Sequence, residues 1–329
     1  MTRRRFDWSA RSIGDDLDGW DAMLDRVWPA YRAWWLQDGD EARPPLDLCH
    51  AALDKHMHEL LPLWERLGQN ASDRRKRFLS FWSPPAYIKA CSQAAVSRPA
   101  PLLVRNYDYG ADAFDCLVMR TDWLGRRVIG TSDGLWGLLD GINDAGLAMS
   151  LAFGGRWQTG SGFGIPLILR YALQMAETTK EAVAILKQVP SHMSYNVTCL
   201  DRQGRFATVV LGPDRAPRVR RAGIATNHQR DEPEWPEHAE LTHTRERYAC
   251  LEQISRTAEP GAGLVERFLS APLHVPDFTD GFGTLYTAAY HPECGTMGLH
   301  WPGVSRRMSL DESPHWDLSV ELGTAETAA

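Results

Sequence analysis

The feature that most constrains this chain is a change of periodicity near residue 90. Before it, apolar residues recur at helical spacing; after it, they come in short, strand-length runs. WDAMLDRVWPAYRAWWL (20–36) and LDLCHAALDKHMHELLPLWERLG (46–68) predict amphipathic helices, with Asp47 as an N-cap, Gly68 as a C-cap and Pro29 interrupting the first. Pro84-Pro85 then ends helical structure. LLVRNY, CLVMRTDW, RRVIGTS, GLAMSLAF, YNVTCLD and RFATVVLG follow as strands, divided by turn residues such as Asp201-Arg202-Gln203-Gly204. Helical stretches at 165–189 and 244–271 interrupt them, and TLYTAAYH, TMGLHWP and HWDLSVEL close the chain. Grouping of strands with strands and helices with helices argues for an α+β fold of antiparallel sheets covered by helices, against a doubly wound βαβ fold.

Charge and composition exclude several functions. A net charge of −6 and a pI near 6.0 do not suit a protein held to nucleic acid by its overall field. No apolar run approaches the ~18 residues of a membrane span. Arg3-Arg4-Arg5 leads into the polar stretch FDWSARSIGDD, which is no signal-peptide core. A soluble, cytoplasmic protein without nucleic-acid or membrane partners is expected. The six cysteines lie far apart, which suggests neither a zinc ribbon nor a disulfide scaffold. His58-Glu59 opens a zinc-type HExxH pattern, but Pro62 stands where the second histidine belongs. The glycines at 160, 162 and 164 lack the βαβ context of a dinucleotide cradle and read as a substrate-side loop. No metal and no cofactor are expected. The thirteen tryptophans, many in the N-terminal helices, read as packing residues.

Cleaving an amide takes a nucleophile, a base and donors for the oxyanion. Cys91 starts a strand-like segment just after the proline pair. On position alone it reads as a buried small hydrophobe. Its neighbourhood suggests more, because Arg105-Asn106-Tyr107-Asp108 ends a strand that follows the turn Pro99-Ala100-Pro101, and a hairpin sets the two segments side by side. Either Arg105 and Asp108 form a strand-end ion pair of little worth, or Asp108 anchors an amine at residue 91 while Arg105 favours the thiolate.

The segment ACSQAAVSRPAPLLVRNYDY resembles the start of mature N-terminal-nucleophile hydrolases of the linear-amide class, which includes choloylglycine hydrolases and acyl-coenzyme A:6-aminopenicillanic acid acyltransferases. The resemblance continues through DGINDAGLAMSLAFGG (140–155), SYNVTCLDRQG (194–204), ATNHQ (225–229) and THTRERY (242–248). Ala90 stands where the acyltransferases usually have glycine, and Ser92 replaces a common threonine.

This resemblance implies a four-layer αββα sandwich over 91–329, preceded by a helical pro-segment, 1–90. It also implies self-cleavage between Ala90 and Cys91, with Cys91 as nucleophile and its freed α-amine as general base. Asp108 would hold that amine and Arg105 would line the site. The Asn227 amide and a backbone N–H near Phe153 would serve as oxyanion donors, with Arg247 polarising the site. The implied substrate is a small-molecule N-acyl amide, hydrolysed or remade by acyl transfer, with a donor such as an acyl thioester; homo-oligomerisation stays open. Two alternatives remain at this point. One is a binding or scaffold protein of the same fold that never matures; the other is a peptidase pairing Cys91 with His228.

Overall fold

The strand-like runs assemble into two sheets in the computed structural model, which describes residues 4–87, 90–110, 115–257, 259–261, 263–276, 278 and 282–323. Arg3, and the two residues just before Ala90 in the expected pro-segment, lie outside the described residues. The chain opens with strand β1 (Arg4–Ile13) and four helices, α1 (Trp20–Trp35), α2 (Leu46–His56), α3 (Leu61–Leu67) and α4 (Asp73–Leu79). Strands β2 (Ala90–Val96), β3 (Leu102–Tyr109), β4 (Leu117–Trp123), β5 (Arg126–Asp133), β6 (Gly137–Asn143) and β7 (Ala148–Phe153) come next. Helices α5 (Ile165–Met175) and α6 (Thr179–Gln188) precede β8 (Tyr195–Leu200), β9 (Phe206–Leu211), β10 (Arg218–Arg220) and β11 (Ile224–Ala225). Then come α7 (Pro236–Leu241), α8 (Thr244–Ser255) and α9 (Leu264–Phe268), and last β12 (Gly283–His291), β13 (Thr296–Trp301), β14 (Val304–Ser309) and β15 (Trp316–Leu322).

One sheet runs β10-β9-β8-β7-β6-β5-β4-β1-β15 and the other β11-β2-β3-β12-β13-β14. Their inner faces meet where β2 and β3 lie against β7, while α5 and α6 cover the larger sheet and α8 and α9 the smaller. The layer order is therefore helix, sheet, sheet, helix. The period of two in a strand sorts the side chains of the smaller sheet. Ala94, Val96, Leu102 and Val104 pack with Leu251, Ile254 and Phe268 of the covering helices, while Ala95, Leu103 and Tyr107 join the core between the sheets.

The segment before residue 90 is not purely helical. β1 pairs antiparallel with β15 and parallel with β4, which makes the larger sheet mixed. Its residues Phe6, Trp8 and Ala10 are buried, but the charged residues between and around them made the stretch read as polar. Its pairing with the far end of the chain carries no local signal. Pro29 lies inside α1 without ending it. Both Pro29 and Asp25 one turn earlier are exposed, so water can take the carbonyl that proline leaves unbonded. The helix expected over 46–68 breaks at Met57 into α2 and α3, with Asp47 inside the first turn rather than at the cap and Gly68 at the C-cap. α1 to α4 gather aromatic rings: Phe78 lies 5.5 Å from Trp28, 5.0 Å from Tyr31 and 5.9 Å from Trp35. Among the described residues no helix is long and apolar enough to cross a membrane.

Candidate active site

The β2–β3 hairpin sets Ala90 opposite Asp108, Cys91 opposite Tyr107 and Gln93 opposite Arg105. Arg105 is thus the diagonal neighbour of Cys91 on the face turned toward the larger sheet, within reach of a long side chain. Its Nη2 lies 3.1 Å from Cys91 Sγ. Asp108 is three residues from Arg105, an odd separation, and so it points to the opposite face, where α8 lies. The two do not pair. Asp108 instead makes an ion pair with Arg247 of α8 and accepts the Thr284 hydroxyl at 2.7 Å.

Arg105 is fully buried and is held from several sides. Nε donates to Leu151 O at 2.8 Å, and Nη1 donates to Asp140 Oδ2 at 2.5 Å and to Tyr286 Oη at 2.8 Å. Burial opposes its charge, yet Cys91, Tyr286, Asp140 and Tyr107 outweigh that and raise its pKa. Asp140 also accepts from Thr131 Oγ1 and Tyr286 Oη, each at 2.7 Å, and from Tyr290 Oη. Its carboxylate thus meets donors on both oxygens, which offsets part of the cost of burying an ion pair.

On the helix side of the hairpin, Asn227 bridges Cys91 to Arg247. Its Oδ1 accepts the Cys91 N–H at 3.0 Å and Arg247 Nη2–H at 2.8 Å, while its Nδ2 donates to Phe153 O at 3.0 Å. Two donors on one end and a carbonyl on the other fix which way the amide faces. Its backbone N–H donates to Thr244 Oγ1 at 2.7 Å. Asn227 can come this close because Gly155, at φ +72°, follows β7; a Cβ there would stand 2.2 Å from Asn227 O. Gly154 N–H bonds Ser194 O at 2.8 Å, which makes Phe153 and Tyr195 a non-hydrogen-bonded pair. The Phe153 N–H and C=O therefore turn away from β8, and the C=O meets Asn227.

The structure thus gathers Ala90, Cys91, Arg105, Asp108, Phe153, Asn227 and Arg247 at one place. It engages His228 elsewhere. The His228 Nδ1 lies 3.0 Å from Thr244 Oγ1 and 3.2 Å from Thr226 Oγ1, and its ring lies 5.1 Å from Tyr248. Burial, then the charges of Arg220 and Arg245, lower its pKa to about 4. Residues that sequence reasoning did not single out complete the site: Thr131, Asp140, Tyr286 and Tyr290 behind Arg105, and Thr244 and Thr284 around Asn227 and Asp108. An aspartate in the middle of the strand GLLDGIN, flanked by apolar residues and glycine, and tyrosines spaced by four in LYTAAY, were the available signals. Among the described residues, no group of three or more His, Cys, Asp or Glu side chains could hold a metal ion.

Two facing sheets between helical layers, with a cysteine near the head of an inner strand and an asparagine at its backbone nitrogen, are the arrangement that the resemblance to N-terminal-nucleophile hydrolases implies. The chain belongs to the acyl-coenzyme A:6-aminopenicillanic acid acyl-transferase family, whose model matches residues 96–305, beginning just beyond Cys91. Comparison with curated proteins finds no match. Among solved structures, the chain is similar to a mutant conjugated bile acid hydrolase from Clostridium perfringens at 13% identity, over 70% of this chain and 96% of that one, with a TM-score of 0.45. It is also similar to penicillin V acylase from Agrobacterium tumefaciens at 13% identity, over 66% and 84%, with a TM-score of 0.41. The Caenorhabditis elegans ortholog of N-acylethanolamine-hydrolyzing acid amidase matches at 14% identity, over 62% and 93%, with a TM-score of 0.41.

Proposed function

We propose that this chain is a precursor that cleaves itself before Cys91 and then, with Cys91 as nucleophile, hydrolyses or transacylates linear, non-peptide amides. The observation that carries the reading is the position of Cys91, whose Sγ is 3.1 Å from the Arg105 guanidinium and whose N–H is 3.0 Å from Asn227 Oδ1. In maturation Sγ adds to the Ala90 carbonyl and the oxygen takes the negative charge. The C–N bond then breaks, leaving a thioester at Sγ and a free α-amine, and water releases the Ala90 carboxylate and the thiol.

In turnover the α-amine takes the thiol proton as Sγ attacks the substrate amide. An unperturbed α-amine titrates near pH ~8, so it serves as the base without a histidine. The leaving amine receives that proton, and water or a second amine resolves the acyl-cysteine. Arg105 favours the thiolate by its fixed charge. The Asn227 amide keeps one N–H on Phe153 O and has a second for the oxyanion, alongside the Phe153 N–H. Asp108 acts through Arg247, holding the guanidinium that in turn holds Asn227. Residues 1–90 form the pro-segment and 91–329 the catalytic unit.

Intact-mass measurement tests this reading. Wild-type protein should give two fragments, 1–90 and 91–329, and Cys91→Ala a single full-length species without amidase activity. Wild-type protein that stays uncleaved on ageing would remove the free-amine mechanism, and turnover by Cys91→Ala would remove Cys91 itself.

A further inference from the structure

Asn227 sits on a loop whose backbone is fixed from two directions. Asn196 of β8 reaches in from the larger sheet, and its Nδ2 donates to Thr226 O at 2.9 Å and to His228 O at 3.0 Å, the carbonyls on either side of Asn227. From α8, Thr244 Oγ1 accepts the Asn227 N–H at 2.7 Å. The peptide between Thr226 and Asn227 is therefore gripped at its oxygen by one side chain and at its hydrogen by the other. Asn196 is fully buried, and turning its amide over would set an oxygen against both carbonyls, so its orientation is fixed. Its Oδ1 meets no donor among the described residues, so the amide contributes through its two N–H groups.

A second tie joins Asn196 to the strand of the nucleophile. Gln93 lies two residues beyond Cys91, on the same face of β2. Its Nε2 donates to Asn196 O at 2.9 Å, and its Oε1 accepts the Ser150 hydroxyl of β7 at 2.5 Å. Asn196 thus stands between β2 and the Asn227 loop, its main chain held by the one and its side chain holding the other. The direct contact between Cys91 and Asn227, from Cys91 N–H to Asn227 Oδ1, runs through the nitrogen of the bond to be cut. In the mechanism proposed above that nitrogen becomes an amine, then gains and loses a proton in each turnover, so its hydrogen bonds are remade as the reaction proceeds. The link through Gln93 and Asn196 contains no reacting atom.

We propose that Asn196 is a positioning residue: tied to β2 through Gln93, it sets the Asn227 loop at a fixed distance from Cys91 and so places the oxyanion donor. The inference rests on the assignment of Cys91 as nucleophile and of Asn227 as that donor. It extends the machinery to a side chain that touches neither the substrate nor the reacting atoms. Its effect on the chemistry passes through Asn227, which separates it from a purely structural one.

Self-cleavage supplies the assay, because it needs no added substrate and forms the same oxyanion. Conversion of precursor is timed by intact mass for wild type, Asn196→Ala, Asn227→Ala and the double variant. Asn196→Ala should slow conversion roughly 10- to 100-fold, the range that a misplacement of about 1 Å produces. In the Asn227→Ala background the same change should add less than about threefold, since residues acting as one unit are not additive. Asn196→Asp, which keeps the shape and gives up the paired donors, should also slow conversion and guards against the effect of an emptied site in the alanine variant. Thr198→Val is the control: it removes the 2.9 Å contact between the Thr198 and Thr208 hydroxyls, on the same face of β8, without touching the loop, and should convert at the wild-type rate. Equal slowing by Asn196→Ala with and without Asn227 overturns the proposal, as does conversion at the wild-type rate by either Asn196 variant. If Asn227→Ala converts too slowly to time, the control decides, and slowing by Thr198→Val as large as by Asn196→Ala overturns it. Wild-type precursor that never converts is a different result, which refutes the self-cleavage reading itself.

Discussion

Each polar atom of the Asn227 side chain has a partner that it would lose by turning its amide over, because Oδ1 faces two donors and Nδ2 faces a carbonyl. Asn227→Ala should lower turnover by roughly 10²–10³ in processed enzyme, since an oxyanion donor acts chiefly in the transition state. Stability should also fall, by about 1–3 kcal/mol, because Arg247, the Cys91 N–H and the Phe153 C=O each lose a buried partner. Turnover of the folded enzyme near wild type would remove Asn227 from the oxyanion site and leave it a structural bridge between Cys91, Arg247 and Phe153. Arg105 is a different case, being part of a fully buried ion pair. Arg105→Leu leaves Asp140 charged and without its cation, so a loss of about 3–5 kcal/mol is expected in urea unfolding. Asp115 carries a cost of its own, visible in pH dependence. Its carboxyl is raised by burial and by Asp133, so the folded state keeps the proton after the unfolded chain has released it. Its contribution to stability therefore falls as pH rises from about 4 through the raised pKa. Asp115→Asn should melt higher than wild type at pH 7, and the gap should close near pH 3.

At the scale of elements, the site depends on how closely the end of β7 approaches the Asn227 loop. Gly155→Ala must place a Cβ against Asn227 O and hold a residue at φ +72°. Slowed processing should follow, read as precursor accumulating over time on a gel, with a stability loss of about 1 kcal/mol or more. The double glycine after SLAF was visible in sequence, but its purpose was not, since the partner lies more than seventy residues further along the chain. Most strands after residue 90 were legible because each alternates or runs apolar within itself, but β6, β10, β11 and β14 were not read as strands. The same period could have told Arg105 from Asp108, which an odd separation sends to opposite faces of the sheet. β1 was not legible, since its pairings with β4 and β15 are set by tertiary structure and its charged residues mask the burial of Phe6, Trp8 and Ala10. Trp8 reaches further still, with its ring 5.3 Å from Tyr286, which holds Arg105. Trp8→Ala should therefore cost about 3–5 kcal/mol, measured by denaturant unfolding of the intact Cys91→Ala protein.

For the whole molecule, the fragments expected from maturation are not two neighbouring bodies. Residues 1–90 supply a strand in the interior of the larger sheet and the four helices α1 to α4, whose aromatic rings join the core. The cut chain should therefore elute as a single species in size-exclusion chromatography at neutral pH and separate only in denaturant. Elution of 91–329 alone, still active, would contradict that picture. The placement of β1 between β4 and β15 has a further effect on the protein's history. Before the cut, β1 finds its slot as part of one chain, and folding is unimolecular at any dilution. After the cut, a melted molecule becomes two pieces that must meet again, and the piece without β1 carries two open strand edges prone to pair with the wrong neighbour. Activation would then act as a ratchet: a precursor can be heated and cooled and return, whereas an enzyme once melted at low concentration stays lost.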